Sequence, residues 1–483
     1  MSKTSDTNLG LNLILSLLNS AMNLLFPVVT FPYAARILGP NNIGTVGMLL
    51  NLYGYFALLT GAITIYGTRE IARCGNKAST IQERVSQIFT FHLTSNIFLG
   101  IVWLTICLFV PRLYNLFNLS ALLVIPIVLA PFSVDWYFNG QERFIFVVLR
   151  NLFCKLFCAA VLYVLVKRSD DVLGYLMVST LSIILPTIPN FPVMIKETRI
   201  KLRFHWPRQM LSSLWKILAT SGIGSTYQFT DVILLGFISG DLAVGLYLAA
   251  KKLLAVASGV CSAISYVFLP RLSSLAEACE VKFQSTFSLG LSLFFFLTFP
   301  LMIYFIVFAD GAIAIVAGSK FIQSASTLRI LALSLVPTSI ATLLGFQYFM
   351  AKQRESAIVK ANLLGAATNL TLNIILVPKI SYNGPAVALI VSETIVAGSL
   401  ISQSNGILSR VDIGSQMRTY LSAAALAGLF AWFANGFFGG ITLFIVQTTI
   451  FAISYLVILH LQNERFTQIF ALKIKEGCVA RLF

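Results

Sequence analysis

The amino-acid sequence predicts an all-α integral membrane protein of about 14 transmembrane helices: two pseudo-symmetric six-helix lobes around a central cavity, plus two C-terminal helices. Three observations predict it. Of the 483 residues, 57% are hydrophobic and only 11% charged, with a mean hydropathy of +0.86, whereas about 25% of the residues of a soluble domain are charged. Apolar runs of roughly 20 residues, each enough to cross a hydrocarbon core of about 30 Å, follow one another along the chain. A G-x4-G motif occurs in "LGPNNIG" (38–44) and again in "SGDLAVG" (239–245), so Gly39 and Gly44 recur as Gly240 and Gly245 at one common offset.

The elements follow in order. The first span, 10–34, carries Asn12, Ser16, Asn19 and Asn23 at i, i+4, i+7 and i+11, a single narrow helical face, with Pro27 and Pro32 near its end. Span 43–66 is followed by 86–110, where His92 reads as a packing residue. Span 116–138 ends near Asp135, and 144–166 holds Arg150 and Lys155, with Cys154 and Cys158 one turn apart. Pro186, Pro189 and Pro192 punctuate span 172–194. Span 213–237 places Ser221, Ser225, Gln228 and Asp231 on one face, so the first helix of each half carries a similar polar stripe. Lys251 and Lys252 fall in 243–268, Pro300 interrupts 285–308, and Arg329 opens 324–349. Span 356–377 begins near Lys360 and carries Asn362, Asn369 and Asn373; span 384–403 carries Glu393. Spans 420–436 and 441–461 complete the set. Prolines within helices are read as kinks that a moving protein can use as hinges.

Six spans per half give both halves the same orientation, related by an axis along the membrane normal. The expected organisation is therefore 1–195 as the first lobe, 196–212 as a basic linker, 213–403 as the second lobe, and 404–483 as two extra helices and a tail. Most of the 34 lysines and arginines lie in alternate loops and both tails. The opposite loops hold only Arg36, Arg112, Lys167, Arg168, Lys320 and Lys379, which puts both termini in the cytoplasm. The same rule accounts for the net charge of +16: the basic residues are scattered over short loops and do not form the single face that nucleic acid needs. Stretches such as "KETRIKLRFHWPR" (196–208) fit anionic headgroups. None of the seven cysteines falls in an outer loop, so no disulfide is expected. The N-terminus lacks a charged n-region and a cleavage site, so the first span reads as a retained helix.

The polar stripes have two readings: glue between helices, worth about 0.6 kcal/mol per contact, or the wall of a water-filled cavity between the halves. Intramembrane charge points to the second, because each ionised group costs about 2.5 to 3.5 kcal/mol at a helix centre. Lys216, Arg329 and Lys360 lie close enough to helix ends to snorkel. Arg150, Lys155, Lys251 and Lys252 lie deeper and face only Asp231 and Glu393, a cationic surplus suited to phosphate. Asp231 and Glu393 are either fixed counter-ions or carriers of a coupling proton or sodium ion. No other cofactor is expected. There is no G-x4-G-K-[ST], and "GIGSTY" fails the dinucleotide pattern, so no nucleotide is expected.

Several stretches resemble one family. "FPYAARILGPNNIG" (31–44), "GTREIAR" (67–73) and "DWYFNGQE" (135–142), with "LRILALSLVPTSIATLLGFQYFMAKQRES" (328–356) and "NLTLNIILVPKISYNGPAVALIVSE" (369–393), are similar to bacterial polysaccharide and O-antigen flippases of the multidrug/oligosaccharidyl-lipid/polysaccharide exporter superfamily. The resemblance covers most of residues 10 to 400. It implies two lobes in a V, with alternating access, moving an undecaprenyl-pyrophosphate-linked oligosaccharide to the outer leaflet of the bacterial inner membrane. It also implies membrane lipids and the polysaccharide polymerase and chain-length machinery as partners. The motif positions carried over are Arg36, Arg69, Glu70, Arg73, Asp135, Glu142, Asn369, Asn373 and Glu393. The expected substrate-binding set is Arg36, Arg150, Lys155, Lys251, Lys252, Asn19, Asn23, Gln228, Asn369 and Asn373, with Asp231 and Glu393 for ion coupling.

Two rivals stand beside this. A drug or organic-cation antiporter of the same superfamily needs carboxylates and aromatic rings for its cation, yet the deep charge here is positive. A membrane polymerase or ligase would carry its chemistry on a sizeable outer loop, and the longest, 309–323, has only Asp310 and Lys320 as charged residues.

Overall fold

A computed structural model describes residues 3–75, 78–202, 204, 208–404, 406–408, 411, 413–436 and 440–464. The expected polar faces at Asn12, Ser16, Asn19 and Asn23, and at Ser221, Ser225 and Gln228, lie outside the described side chains. The helices are α1 (Lys3–Cys74), α2 (Ala78–Phe109), α3 (Pro111–Asn115), α4 (Phe117–Ser120), α5 (Val124–Leu129), α6 (Asp135–Gly140), α7 (Phe144–Leu165), α8 (Val172–Ile184) and α9 (Thr187–Thr198). They continue as α10 (Arg208–Ser239), α11 (Asp241–Ala278), α12 (Glu280–Val307), α13 (Ala309–Val316), α14 (Ser324–Leu343), α15 (Glu355–Ile380), α16 (Gly384–Gln403), α17 (Ile413–Trp432) and α18 (Gly440–Leu461). No strand occurs among the described residues.

Ten helical stretches among the described residues are long and apolar enough to cross a membrane. Two of them, Phe26–Cys74 and Glu355–Gln403, have 49 residues each, about twice what one crossing requires. In the first, the chain turns at Gly39, whose φ of 75° and ψ of 174° are non-helical. Gly240, its counterpart in the second half, separates α10 from α11 with φ 86°. Both positions lie in the region that favours glycine, so the repeated motif marks a repeated backbone break.

Three expected spans depart from single straight helices. Span 116–138 is a chain of short pieces, α4, α5 and α6 with 3₁₀ turns between them, and Val134 has φ 39°; Pro126 and Pro131 remove backbone donors there. Span 172–194 breaks into α8 and α9 at Leu185–Pro186. Span 324–349 ends in a π-helical turn, Leu344–Met350. Pro300, expected to interrupt its span, lies inside the continuous α12; a membrane helix tolerates the lost bond when neighbours satisfy the freed carbonyl.

The chain packs as two compact units, Met1–Gly245 and Leu246–Phe483. Helix α10 lies along α1 within the first unit. There Phe229 covers Gly54, and Tyr55 shares a hydrogen bond with Thr230. Apolar cores among the described residues of the first unit gather Ile63, Phe89, Trp136, Phe138 and Met194 in one place, and Leu49, Trp103, Leu113 and Leu176 in another. In the second unit α12 buries Phe283, Phe287, Phe294, Phe295 and Phe299, α14 packs on α12 and α16, and α17 pairs with α18.

Loop contacts alternate between two ends, as successive crossings require. In the first unit, Asn42 donates to Ser169 O, and Arg112 pairs with Asp241 at one end. At the other end, Gln82 donates to Arg199 O, and Arg143 pairs with Glu197. In the second unit, Arg329 pairs with Asp310, and Thr327 donates to Asn383 at one end; Lys352 pairs with Glu280 at the other.

The repeat is visible as a reciprocal contact. A methyl group added at Gly44 would overlap the carbonyl oxygen of Asp241, and one at Gly245 would overlap that of Pro40. Pro40 and Asp241 are themselves equivalent positions of the motif, each following its left-handed glycine. The same patch therefore meets itself across a local two-fold, the signature of an isologous contact. Asp241 is held further by Thr45 Oγ1 at 2.7 Å and by Arg112, which also donates to the Gly236 carbonyl.

Candidate functional site

In the first unit the basic residues of α7 divide by role. Arg150 is buried, and all three nitrogens of its guanidinium donate hydrogen bonds. It donates to Asp135 Oδ1 at 2.9 Å, to Asn151 Oδ1 at 2.7 Å and to Asn190 Oδ1. Asn190 in turn donates to Asp135 Oδ1 at 2.8 Å and to Ser133 O. This network pins α7 to the broken segment before α6 and to α9. The Asp135 carboxylate neutralises the one deep arginine, so the cationic surplus counted from sequence is smaller by one. Asn190 was not singled out from sequence. Its position between Pro189 and Pro192 is the signal: an amide beside kinks is well placed to bond freed carbonyls.

Lys155 lies five residues further along α7. Its amine donates to Met22 O at 3.3 Å and sits 5.6 Å from the Phe26 ring centre. Half-buried, it keeps an ammonium inside an apolar helix beside a carbonyl and an aromatic ring. Arg36 is exposed, on the segment of α1 that ends at Gly39. Asp231 is buried on α10 at 1% exposure, next to Thr230, which meets Tyr55.

In the second unit Lys251 and Lys252 are half-buried on α11, and the Lys251 amine lies 5.3 Å from the Tyr247 ring centre. Asn369 and Asn373 are fully buried on α15, where Asn373 Nδ2 donates to Asn369 O at 2.9 Å and to its Oδ1 at 3.1 Å. They share a face with Ala357, Ala361 and Gly365, and a methyl at Gly365 would strike Val396 of α16. The stripe thus lies in the α15–α16 interface, as helix glue does. Asn369 Nδ2 has no hydrogen-bond partner among the described residues, a donor in excess of what glue requires. Glu393 is buried on α16.

One further group was missed. Gln347 is 0% exposed on the π-helical turn, its amide resting against Gly290, and neither its Nε2 nor its Oε1 has a partner among the described residues. π-Helical turns are frequent at functional sites, but sequence shows only a glutamine in an apolar run. His92 behaves as expected in part: it is buried with Nε2 3.3 Å from Thr60 Oγ1. Among the described residues, no cluster of three or more His, Cys, Asp or Glu side chains could hold a metal ion.

Proteins with related sequences give this architecture a context. The chain is 22% identical over 406 residues to a protein of Escherichia coli (strain K12) named as an O-antigen transporter, covering 82% of this chain and 97% of that one. It is 25% identical over 418 residues to a protein of the same name from Shigella dysenteriae, covering 80% and 97%. Among solved structures, the lipid II flippase MurJ in an inward closed conformation superposes with a TM-score of 0.75 at 14% identity, over 93% of this chain and 97% of that one. An inward-facing multidrug resistance MATE family transporter of the MOP superfamily gives 0.63 at 13% identity, over 82% and 95%. At such identities the structural likeness is one of fold. The sequence pattern of the polysaccharide biosynthesis protein family matches residues 9–276, more than half of the chain, and the protein is a multi-pass membrane member of that family.

Proposed function

We propose that the chain is a flippase that moves undecaprenyl-pyrophosphate-linked oligosaccharide units, for O-antigen, capsule or a similar polymer, from the cytoplasmic to the outer leaflet. It works by ion-coupled alternating access in the bacterial inner membrane, with both termini cytoplasmic. It transports its substrate without changing it chemically. The transport lobes are residues 1–195 and 213–403, joined by the basic linker 196–212, with 404–483 as an addition. The observation that carries the reading is the retention of amines inside apolar helices: Lys155 on α7 and the adjacent Lys251 and Lys252 on α11 are all half-buried. An ammonium in hydrocarbon is kept only where water or an anion meets it, and phosphate is the anion that lysine serves well.

Lys155, Lys251 and Lys252 are assigned to the pyrophosphate, and Arg150 is a positioning residue that fixes the α7 helix carrying Lys155. Asn19, Asn23, Gln228, Asn369 and Asn373 serve sugar hydroxyls and water, with the unpartnered Asn369 Nδ2 as the donor of interest. Asp231 and Glu393, both buried, are assigned to the coupling proton or sodium ion. The sign of the buried amines speaks against an organic-cation antiporter, which would have to place its substrate beside them. A strain lacking its own flippase tests the reading. The native chain should restore surface glycan, and Lys155→Ala or Lys251→Ala, at matched expression, should lower the restored amount at least tenfold. Restoration by both alanine variants would remove these lysines from the site; drug resistance without glycan, across several glycans, would favour the antiporter.

A further inference from the structure

The loops on the side poor in basic residues hold few lysines or arginines, because positive charge there opposes the topology rule. Three of them, Arg36, Lys167 and Arg168, lie on two segments that meet at one corner of the first unit. Tyr33 OH donates to Val166 O at 2.8 Å, and the Tyr33 and Tyr163 ring centres are 4.3 Å apart. Nine residues further along α1, Asn42 Nδ2 donates to Ser169 O at 2.6 Å. These two contacts lay the α1 segment from 33 to 42 along the turn from Val166 to Ser169. Arg36, three residues after Tyr33 and before the break at Gly39, lies on the α1 segment between these two contacts.

The turn is braced from within. Asp171 Oδ2 accepts the backbone N–H of Lys167 at 2.8 Å and of Arg168 at 2.7 Å. Those bonds hold its carboxyl below the usual carboxylate range, so the brace persists at any physiological pH. The side chains of Arg36, Lys167 and Arg168 are exposed, as is that of Asp170. Immediately below, the end of α7 exposes Tyr163, Val164 and Leu165, an aromatic ring and aliphatic groups of the kind that face lipid at the level of the headgroups. Cations standing over a lipid-facing helix end meet phosphate oxygens, and the three outnumber the two acids of the turn.

We propose that Arg36, Lys167 and Arg168 form a binding site for the phosphate or pyrophosphate of a lipid headgroup in the leaflet at this end of the protein. The site uses none of the lysines assigned to transport and does not depend on that reading. Its ligand is either the pyrophosphate of a polyprenyl carrier or the phosphate of a bulk anionic lipid. The test uses the full chain in phosphatidylcholine nanodiscs doped with undecaprenyl pyrophosphate or with phosphatidylglycerol, with retained lipid counted by native mass spectrometry. Arg36→Gln, Lys167→Gln and Arg168→Gln should each weaken retention about fivefold, the effect of one basic side chain near a headgroup surface. Lys320→Gln, another exposed lysine, should change nothing, and Lys167→Arg should retain the native level. Losses with undecaprenyl pyrophosphate alone would identify a carrier site, and losses with both lipids a general headgroup site. Unchanged retention of both lipids in all three glutamine variants would overturn the proposal. Because the phosphatidylglycerol arm reads the site whether or not the chain moves a glycan, failure here is distinguishable from failure of the transport reading.

Discussion

Arg150→Ala is expected to destabilise the first unit by about 2 to 3 kcal/mol. Removing one partner of a fully buried ion pair costs about 3 to 5 kcal/mol; here the Asp135 side chain is 33% exposed, so water recovers part of the loss. Asn190 stays bonded to Asp135 and Ser133, which limits the damage further. Arg150→Lys should not rescue, because a single ammonium cannot bond Asp135, Asn151 and Asn190 at once. The double variant Arg150→Met, Asp135→Asn should recover most of the stability by removing both charges together. Size-exclusion profiles of detergent-solubilised protein after graded heating would measure this. A stable double variant that still restores surface glycan would establish Arg150 as purely structural. A stable but inactive one would return it to the pyrophosphate site.

Gly44→Val and Gly245→Val should each prevent the first unit from packing, with a loss of folded protein larger than that from any surface substitution. In both cases the first atom of the new side chain meets a backbone carbonyl oxygen, which has no rotamer to change. Overpacking typically costs about 1 to 3 kcal/mol and occasionally more, and a clash with main chain belongs at the upper end. Because the two contacts are equivalent members of one reciprocal patch, the alanine variants should behave alike. The double alanine variant should fall short of additivity once the patch has separated. Gly61, with open space around its Cβ position, is the control: Gly61→Ala should be neutral or slightly stabilising in its helix. Equal thermal stability of Gly44→Ala and the native protein would contradict the reciprocal packing.

The two glycine pairs illustrate what a sequence can carry. Gly39 and Gly240 were legible as a repeat because spacing is a one-dimensional property, and their conformational reason, a positive φ in each, is local. The contact of Gly44 with Asp241 was not legible, since nothing in a spacing says that a motif packs on its own copy. The broken sixth span was half legible: its prolines were visible, but Pro27 and Pro300 lie inside helices that run on through them while the chain breaks at Pro186. Whether a proline breaks a membrane helix depends on whether neighbours can bond the freed carbonyl, which is a tertiary matter.

The sequence by itself determined the solvent of this protein, the approximate course of its crossings, and the internal repeat. All three follow from composition and period, which act on each segment independently of its neighbours. Only the tertiary structure decided the fate of the charges. Arg150 is neutralised by Asp135 and hydrogen-bonded to Asn190, 15 and 40 residues away, whereas Lys155, five residues along the same helix, meets a carbonyl and a ring. The Asn369 and Asn373 stripe turned toward α16, and the α1 segment from 33 to 42 packed along the turn that carries Lys167 and Arg168. An ionised group in a membrane is decided by what lies within a few ångströms of it, and that distance is set by how distant segments pack.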